Sequence, residues 1–250
     1  MNKIGLVLGG GGVRGAYQVG AVKALYELGF RCEVVTGTSV GALNAFLIAQ
    51  DDINLLEEVW KKVHFEHVMD YKHKTRKKGL ETMIMAPLKG GFSLQPLENL
   101  IKEHVIEEKV RNSDIDVGIV ITENFMKYRP YTLDQIPKNE IHHYLLASCS
   151  AWPFLKKRTI DGKTYYDGFF SDNLPIKLAQ DMGAEKIIAI DLVKGFRIKT
   201  DESNVLILKP SKNEHFFLNF ERDVVDEIME LGYKDVMDKK EEIISFLENI

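Results

Sequence analysis

Apolar residues occur in two different spacings along the first fifty positions of the chain. A continuous apolar run at residues 4–8 predicts a buried strand of a parallel sheet. Residues 14–28 carry apolar side chains at helical spacing and are followed by Gly29, which predicts a helix with a glycine cap at its C-terminus. Residues 32–36 and 39–49 repeat the strand and the helix. This order is typical of a parallel sheet that is covered by helices.

The rest of the chain is less regular but contains the same two kinds of element. Predicted strands lie at residues 116–122, 128–133, 186–190 and 205–208, with the first two as candidates for pairing and a small hairpin of 159–161 and 163–166 around Gly162. Predicted helices lie at 52–63, from Pro96 to about 108, at 140–149, at 175–182 from Pro175, and at 215–247 with a candidate break at Gly232. No repeat or linker interrupts the chain, so we predict one α/β domain over residues 1–250 with a helical tail from about 215.

The composition is that of an ordinary globular domain, with 45% hydrophobic and 28% charged residues. A formal net charge of −4 argues against a nucleic-acid partner, because no general positive field surrounds the protein. Cys32 and Cys149 have neither metal-ligand spacing nor a disulfide framework, which predicts a reducing, cytoplasmic setting. No apolar run approaches the roughly 18 residues of a membrane span, and residues 4–8 are too short for a signal peptide.

A G-x-S-x-G sequence, Gly37-Thr38-Ser39-Val40-Gly41, joins the second predicted strand to the second predicted helix. Such a turn exposes a serine hydroxyl at the carboxyl end of a strand and at the N-terminus of a helix, where the dipole favours negative charge. Ser39 is therefore the candidate nucleophile. The plain alternative is a tight turn in which the serine only caps the helix.

A glycine loop, residues 9–15, follows the first predicted strand. Its bare backbone N–H groups can point at an anion, which would complement a nucleophile by stabilising the charge that its attack creates. Gly10, Gly12 and Gly15 also match the spacing of a dinucleotide fingerprint. That fingerprint expects an acidic residue at the end of the second strand, where this chain has the Ser39 turn instead. An oxyanion-binding loop explains both motifs together.

The base that would activate Ser39 has two candidates. Chain order suits a triad of Ser39, Asp167 and His215, although His215 opens a long predicted helix without a turn signature. The better candidate is Asp167 alone, because it ends a strand-like run and is followed by Gly168, and a carboxylate removed from water becomes a stronger base. An ordinary Asp-Gly turn is the plain alternative. The histidines available for a triad are His64, His67, His73, His104, His142, His143 and His215.

These segments resemble the patatin-like phospholipase family. Residues 10–15, including Arg14 and Gly15, match its oxyanion-hole motif, and residues 37–41 match its nucleophile elbow. Residues 147–154 are similar to the region upstream of the family's catalytic acid, and Asp167-Gly168 with Asn173 and Pro175 matches the acid segment itself. The four matches lie in the family's order within residues 5–182. One departure is Phe169, where the family usually has Gly or Ala; its ring could narrow the pocket or turn the acid loop.

The resemblance implies a three-layer α/β/α fold with a mainly parallel central sheet. It implies a Ser-Asp dyad without histidine, in which Ser39 attacks the ester carbonyl and Asp167 accepts the proton. The backbone N–H groups of Gly10, Gly11 and Gly12 would hold the oxyanion, and the glycines at 15, 37, 41 and 168 with Arg14 would support the motifs. It implies hydrolysis of lipid acyl esters without a metal or other cofactor.

Segment 61–91 is a candidate for peripheral membrane contact. Residues 61–78 contain seven Lys and Arg residues and only two acidic ones, beside Phe65, Tyr71 and the apolar residues 83–85. No clean amphipathic period emerges, which favours a solvated loop. The whole chain is thus predicted to be a serine hydrolase of lipid acyl esters. The alternatives are a histidine-triad esterase for small soluble esters and a non-catalytic lipid- or acyl-binding module.

Overall fold

The structure is a computed structural model that describes residues 3–68, 70, 86–88, 90–193, 203–212 and 215–248. Its strands are β1 (Lys3–Leu8), β2 (Val34–Thr38), β3 (Asp116–Glu123), β4 (Lys127–Thr132), β5 (Arg158–Ile160), β6 (Lys163–Asp167), β7 (Ala184–Ile190) and β8 (Val205–Leu208). Its helices are α1 (Gly15–Glu27), α2 (Val40–Ile48), α3 (Ile53–Lys62), α4 (Phe65–Val68), α5 (Gln95–His104), α6 (Glu107–Arg111), α7 (Ile141–Ser148), α8 (Ile176–Asp181), α9 (Arg222–Asp238) and α10 (Lys240–Glu248).

The strands form one sheet in which hydrogen-bonded neighbours follow one another as β5-β6-β3-β2-β1-β7-β8, and β4 pairs with the other edge of β3. The run from β3 through β2, β1 and β7 to β8 is parallel, whereas β4, β5 and β6 are antiparallel to their neighbours. The pairing of β3 with β4 and the hairpin around Gly162 were both predicted from the sequence. The prediction of a mainly parallel central sheet is confirmed.

Alternate residues of the central strands enter two separate apolar cores. Leu6 and Leu8 of β1 belong to the larger core, together with residues of α1, α2, α7 and α9. Val7 belongs to the smaller core, with Ile176 and Ala179 of α8. Because successive side chains of a strand point to opposite faces, helices cover the sheet on both sides. The fold therefore has the three α/β/α layers that the resemblance implied.

Two predicted boundaries shift once strand pairing and side-chain contacts are known. The second strand begins at Val34 rather than at residue 32, because its pairing with β1 and β3 covers Val34–Thr38. The helix predicted from Pro96 to about 108 ends at His104. There the side chain of Gln50 bonds both the carbonyl of His104 and the N–H of Ile106, and a separate helix, α6, follows.

The predicted helical tail is wrong in two respects. Helix begins at Arg222 rather than at residue 215, and α9 runs through Gly232 without a break. Gly232 is instead a point of close approach to α1, since a Cβ atom there would lie 2.1 Å from the carbonyl oxygen of Tyr17. Gly20 of α1 faces α9 in the same way, with a Cβ position 1.8 Å from the carbonyl oxygen of Met229. These glycines let the two helices pack backbone against backbone.

Within the described ranges, no helix combines the length and apolarity that a bilayer crossing requires. Most of segment 61–91 lies outside the described residues, including Tyr71 and residues 83–85, and so does His73. The membrane contact predicted for segment 61–91 therefore stays a prediction.

Candidate active site

Ser39 occupies the turn between β2 and α2 in a strained backbone conformation. Its φ of 56° and ψ of −126° lie where side chains other than glycine are uncommon. The turn is tight because a Cβ atom on Gly37 would lie 2.2 Å from the carbonyl oxygen of Gly41, so the elbow requires glycine there. The carbonyl of Ser39 accepts hydrogen bonds from the N–H groups of Ala42 and Leu43, in the first turn of α2. The hydroxyl thus stands at the N-terminus of α2.

The register of β3 brings Asp167 beside Ser39. Thr38, the last residue of β2, pairs with Val120, and Asp167, the last residue of β6, pairs with Ile121. Because β4 occupies the other edge of β3 from Gly118 to Glu123, β2 and β6 share one edge and meet end to end. The Ser39 hydroxyl donates a 2.7 Å hydrogen bond to Oδ2 of Asp167.

The carboxyl group of Asp167 is buried, with 2% of the residue exposed. Its Oδ1 atom accepts a 2.9 Å hydrogen bond from the backbone N–H of Phe169. Burial raises the pKa of Asp167 from 3.8 to about 7, although the bonds from Phe169 and Ser39 pull it in the opposite direction. The departure at Phe169 therefore leaves the acid in contact with Ser39, while the Phe169 ring lines the cavity described below.

Polar groups from α7 and the residues after it hold both reacting residues. The Ser148 hydroxyl accepts the N–H of Ser39 at 2.9 Å and donates to the carbonyl of Val120 at 2.8 Å. The carbonyl of Ser150 accepts the N–H of Asp167 at 3.0 Å. Ser148 and Ser150 lie in the region, residues 147–154, that resembles the family's segment upstream of the catalytic acid, but no role was predicted for them. Two serines so close together after a predicted helix were the feature of the sequence that could have indicated this role.

Cys149 is a further neighbour that sequence reasoning missed. Its thiol is buried and lines the same cavity as Ser39 and Asp167. Burial and the charge of Asp167 raise the pKa of Cys149 well above its usual value, although a hydrogen bond with Ser39 opposes the shift. The thiol therefore stays protonated, and it adds no competing negative charge beside Asp167.

In the glycine loop, the donors that could meet an oxyanion are not equivalent. The N–H of Gly10 donates to the side-chain and backbone oxygens of Asn173, at 3.1 and 3.3 Å. Within the described residues, the N–H groups of Gly11 and Gly12 have no acceptor in the chain. Gly10 nevertheless borders the nucleophile, because a Cβ atom there would lie 3.1 Å from Cβ of Ser39. The Gly10 N–H is thus already bonded within the chain, whereas the N–H groups of Gly11 and Gly12 are available to an oxyanion; the role of all three stays a prediction.

The segment before α9 holds the glycine loop in place. The N–H of Val13 donates to the carbonyl of Phe217 at 2.8 Å, and the guanidinium of Arg14 donates to the carbonyl of His215 at 3.1 Å. Gly12 has φ of 61° and passes so close to Phe217 that a Cβ atom would lie 2.2 Å from its carbonyl oxygen. Arg14 thus helps to hold the glycine loop against the segment before α9. Backbone carbonyls leave no trace in a sequence, so this role of the tail was not predicted.

The other two motif glycines allow close packing around the same point. A Cβ atom on Gly15 would lie 2.4 Å from the Val40 side chain at the start of α2. A Cβ atom on Gly168 would lie 2.4 Å from the carbonyl oxygen of Val120, beside the pairing that aligns Asp167. Both positions therefore support the approach of α1 and β6 to the elbow.

A largely apolar cavity of about 450 Å³ opens from Ser39 and Asp167 into the larger core. Val40, Leu43 and Leu47 form its wall on one face of α2. Helices rise 1.5 Å per residue, so Leu47 lies roughly 12 Å along the axis from Ser39. Residues of α3, of the position after it and of α5 also line the cavity: Val59, Trp60, Val63, Leu97, Leu100 and Ile101. The size lies within the range of ligand pockets.

The structure does not bring His215 to the nucleophile. Its Nε2 atom lies 3.5 Å from Glu227, and the residue lines a separate small cavity. Of the described histidines, His104 lines the large cavity. The carbonyl of His104 accepts a hydrogen bond from the side chain of Gln50, which follows the C-terminus of α2. Ser39 stands at the N-terminus of α2, so His104 lies near the other end of that helix. No described histidine is thus hydrogen-bonded to Ser39 or Asp167.

One group among the described residues has the spacing of metal ligands. Glu98, His142 and His143 place their ligand atoms within 4.8 Å of one another. Lys102 and Arg158 lie 2.8 and 3.5 Å from the carboxylate oxygens of Glu98, and these cations compete with a metal. The group does not line the cavity of Ser39.

The sequence is similar to patatin-like phospholipases and a lysophospholipase. A family model described as Patatin-like phospholipase matches residues 6–179. Patatin-like phospholipase domain-containing protein 7 of Rattus norvegicus is 30% identical over 209 residues, which cover 81% of this chain and 14% of that protein. Lysophospholipase nte1 of Aspergillus terreus is 28% identical over 196 residues, which cover 76% of this chain and 12% of that protein. This chain therefore spans only a small part of the length of these relatives.

Two solved structures share the fold at low sequence identity. VipD from Legionella pneumophila matches with a TM-score of 0.63 and 14% identity, over 97% of this chain and 67% of that chain. A chain in the complex of SpcU with ExoU from Pseudomonas aeruginosa matches with a TM-score of 0.54 and 15% identity, over 99% of this chain and 52% of that chain. At this identity the likeness concerns the fold alone.

Proposed function

Because the chain belongs to the patatin-like phospholipase family, we propose that it hydrolyses carboxylic esters of lipids through Ser39 and Asp167. The observation that carries the proposal is the 2.7 Å hydrogen bond from the Ser39 hydroxyl to a buried carboxyl group at the edge of an apolar cavity. The names of relatives, a lysophospholipase among them, support a lipid substrate. We further propose that residues 1–250 form one domain, since one sheet includes strands from Lys3 to Leu208.

In the first half of the reaction, Asp167 accepts the proton of the Ser39 hydroxyl while Oγ attacks the ester carbonyl carbon. The carbonyl oxygen becomes an oxyanion, and the N–H groups of Gly11 and Gly12, with the N-terminus of α2, stabilise its charge. Collapse of this intermediate breaks the ester bond, and the leaving alcohol takes the proton from Asp167. The acyl group remains on Ser39.

In the second half, water replaces the alcohol. Asp167 accepts a proton from the water, whose oxygen attacks the acyl carbonyl and forms a second oxyanion in the same loop. Collapse breaks the bond to Oγ, Asp167 returns its proton to Ser39, and the fatty acid leaves. A carboxyl pKa of about 7 suits both half-reactions, because the base is substantially ionised near neutral pH yet binds the proton firmly enough to transfer it.

The cavity favours a lipid acyl chain over a small soluble acyl group. Val40, Leu43 and Leu47 of α2 line it over roughly 12 Å from the nucleophile, a length that a short acyl group would leave unfilled. Burying apolar surface there stabilises the complex by about 25 cal/mol per Å². The same cavity would serve a non-catalytic acyl-binding module, so binding alone does not establish hydrolysis.

A fluorophosphonate probe tests the nucleophile directly. We expect the wild-type protein to be labelled at Ser39 and the Ser39→Ala variant to be unlabelled, with wild type releasing fatty acid from a lysophospholipid. Ser211→Ala is a matched control, because the exposed Ser211 hydroxyl bonds Asp235 and does not line the cavity. Peptide mapping by mass spectrometry identifies the labelled residue. Absence of label and of released fatty acid in wild type would leave only the binding module.

A further inference from the structure

Exposed aromatic and thioether side chains gather beside the mouth of the cavity. They come from the β3–β4 turn, the segment after α7, β6 and the turn after β6. The Phe125 ring lies 5.5 Å from Trp152, 4.8 Å from Tyr166 and 4.9 Å from Phe170, measured between ring centroids. We call this surface the aromatic rim; its exposed members are Phe125, Met126, Trp152, Phe169 and Phe170, and the half-buried Tyr166 contacts Phe125.

The aromatic rim is continuous with the interior of the cavity. Trp152, Phe169 and Phe170 are each more than a third exposed, and each also lines the cavity that contains Ser39. Apolar surface therefore extends from the outside of the molecule to the nucleophile. Phe125 and Met126 belong to the outer part of the rim and do not line the cavity.

The turn that carries Phe125 and Met126 has bulky residues where its backbone conformation favours small ones. Phe125 has φ of 71°, a conformation in which a bulky side chain is an outlier and Gly or Asn is usual. Met126 follows it and is 84% exposed, more than any other large hydrophobic residue that the structure describes. The chain thus keeps two apolar side chains at a turn where a strained backbone and water exposure both disfavour them. Within the isolated fold Phe125 packs against three rings, whereas Met126 gains little from its position.

The base of the same turn carries an excess of positive charge. Glu123 is the last residue of β3, and Arg129 and Lys127 lie 2.5 and 4.0 Å from its carboxylate oxygens. Arg129, Lys127 and Lys163 together hold the pKa of Glu123 below its usual value. Three cations therefore surround one carboxylate. Such a surface complements anionic lipid headgroups.

We propose that the aromatic rim docks on a lipid surface, with Phe125 and Met126 entering its apolar edge and Lys127 facing anionic headgroups. Aromatic side chains with one wet face favour the membrane interface. The proposal rests on the proposed function in one respect: the cavity receives an acyl chain directly from the surface on which the rim sits. Its residues all lie outside segment 61–91.

The test measures binding separately from hydrolysis. In a Ser39→Ala background, which leaves lipids intact, we compare the Phe125→Gly/Met126→Ser double variant with an Ile244→Ser control. Gly suits the φ of residue 125, so the double variant should remain folded, as circular dichroism checks. Ile244 is equally an exposed apolar residue, on α10. Vesicles of phosphatidylcholine, with and without phosphatidylglycerol, are the probe, and co-sedimentation is the readout.

We expect the double variant to lose tenfold or more of its vesicle partitioning, roughly the effect of exposing one large apolar side chain, and the control to match its parent. Phosphatidylglycerol should strengthen binding, and salt should weaken it. Trp152 should shift its fluorescence to shorter wavelength on vesicles, since the other tryptophan, Trp60, is buried. Equal partitioning of the double variant and its parent would overturn the proposal, and so would a parent that binds no vesicle.

Failure of the proposed function is recognised by a separate assay. With Ser39 intact, the double variant should hydrolyse a soluble short-chain p-nitrophenyl ester at the wild-type rate and hydrolyse vesicle phospholipid more slowly. If wild type hydrolyses neither substrate while the double variant still loses partitioning, docking stands and the proposed function fails. Equal loss on the soluble ester would mean that the rim acts through the catalytic site, which contradicts the docking proposal.

Discussion

The side chains of Ser39 and Asp167 touch each other in a setting that makes a carboxylate basic. Burial raises the pKa of Asp167 to about 7, and the thiol of Cys149 beside it stays neutral. Ser39 sits in a conformation that only an over-determined turn maintains, and Ser148 bonds its N–H. These contacts support the proposal that Ser39 and Asp167 act as nucleophile and base without an imidazole.

Gly11→Ala should reduce turnover more than it weakens substrate binding. A Cβ atom there would lie 2.9 Å from Cβ of Leu192, so the loop must shift and misalign its N–H donor. Losing one oxyanion donor lowers the rate by a factor on the order of 10²–10³. Steady-state kinetics on a soluble ester separate kcat from KM. Gly29→Asn is the control, because nothing lies near its Cβ position and Asn is tolerated at the positive φ of a helix C-terminus; wild-type kcat in Gly11→Ala would remove the loop from the mechanism.

At the scale of elements, α2 links the two ends of the site. Its first residue, Val40, follows the nucleophile. The face of α2 that lines the cavity continues from Val40 through Leu43 to Leu47. One helix therefore positions the hydroxyl and forms the wall along which an acyl chain would lie. Substitutions along this face should act as a ruler for acyl length.

Leu47→Trp should lower kcat/KM about tenfold or more for long-chain esters and leave short-chain esters unchanged, because the larger ring fills the far end of the cavity. Leu43→Trp, one turn nearer Ser39, should also reject chains of intermediate length. The measurement is kcat/KM over a p-nitrophenyl ester series from butyrate to palmitate. Unchanged hydrolysis of butyrate shows that each variant is folded. A uniform loss across the series, or no loss, would contradict an acyl chain lying along α2.

What the sequence predicted and what it missed differ by the range of the interactions involved. The strand before Ser39, the elbow and the Asp167-Gly168 loop are local patterns, and all are present, although that strand begins two residues later than predicted. The bond between Ser39 and Asp167 depends on where β2 and β6 stop along β3, which no local pattern encodes. The bond that occupies the Gly10 N–H joins residues 163 positions apart. Gly232 was interpreted as a break because its role in contacting α1 is equally non-local.

At the scale of the whole molecule, the buried acid at the site opposes the stability of the fold. The folded state holds the Asp167 proton more tightly than the unfolded chain, because its pKa is about 7 when folded and near 3.8 otherwise. Between these values the unfolded state is deprotonated and the folded state is not, so stability falls as pH rises through this window. A shift of roughly three pKa units corresponds to at most about 4 kcal/mol.

Asp167→Asn should therefore raise the melting temperature at pH 8 and have little effect at pH 4, where the wild-type carboxyl is protonated in the folded state. Differential scanning calorimetry across this range measures the effect. Asp161→Asn is the control, because Asp161 is exposed in a turn that Asn also tolerates. A variant that is no more stable than wild type at pH 8 would mean that Asp167 is not a buried, costly charge.

The most direct test of the dyad is kcat/KM for lysophospholipid hydrolysis by Asp167→Asn and His215→Ala beside wild type. We predict that Asp167→Asn loses a factor on the order of 10⁴, because an amide cannot accept the Ser39 proton. His215→Ala should stay within a few-fold of wild type, since His215 contacts Glu227 and not the nucleophile. Hydrolysis by folded Asp167→Asn within tenfold of wild type would contradict the account, and so would an inactive but folded His215→Ala.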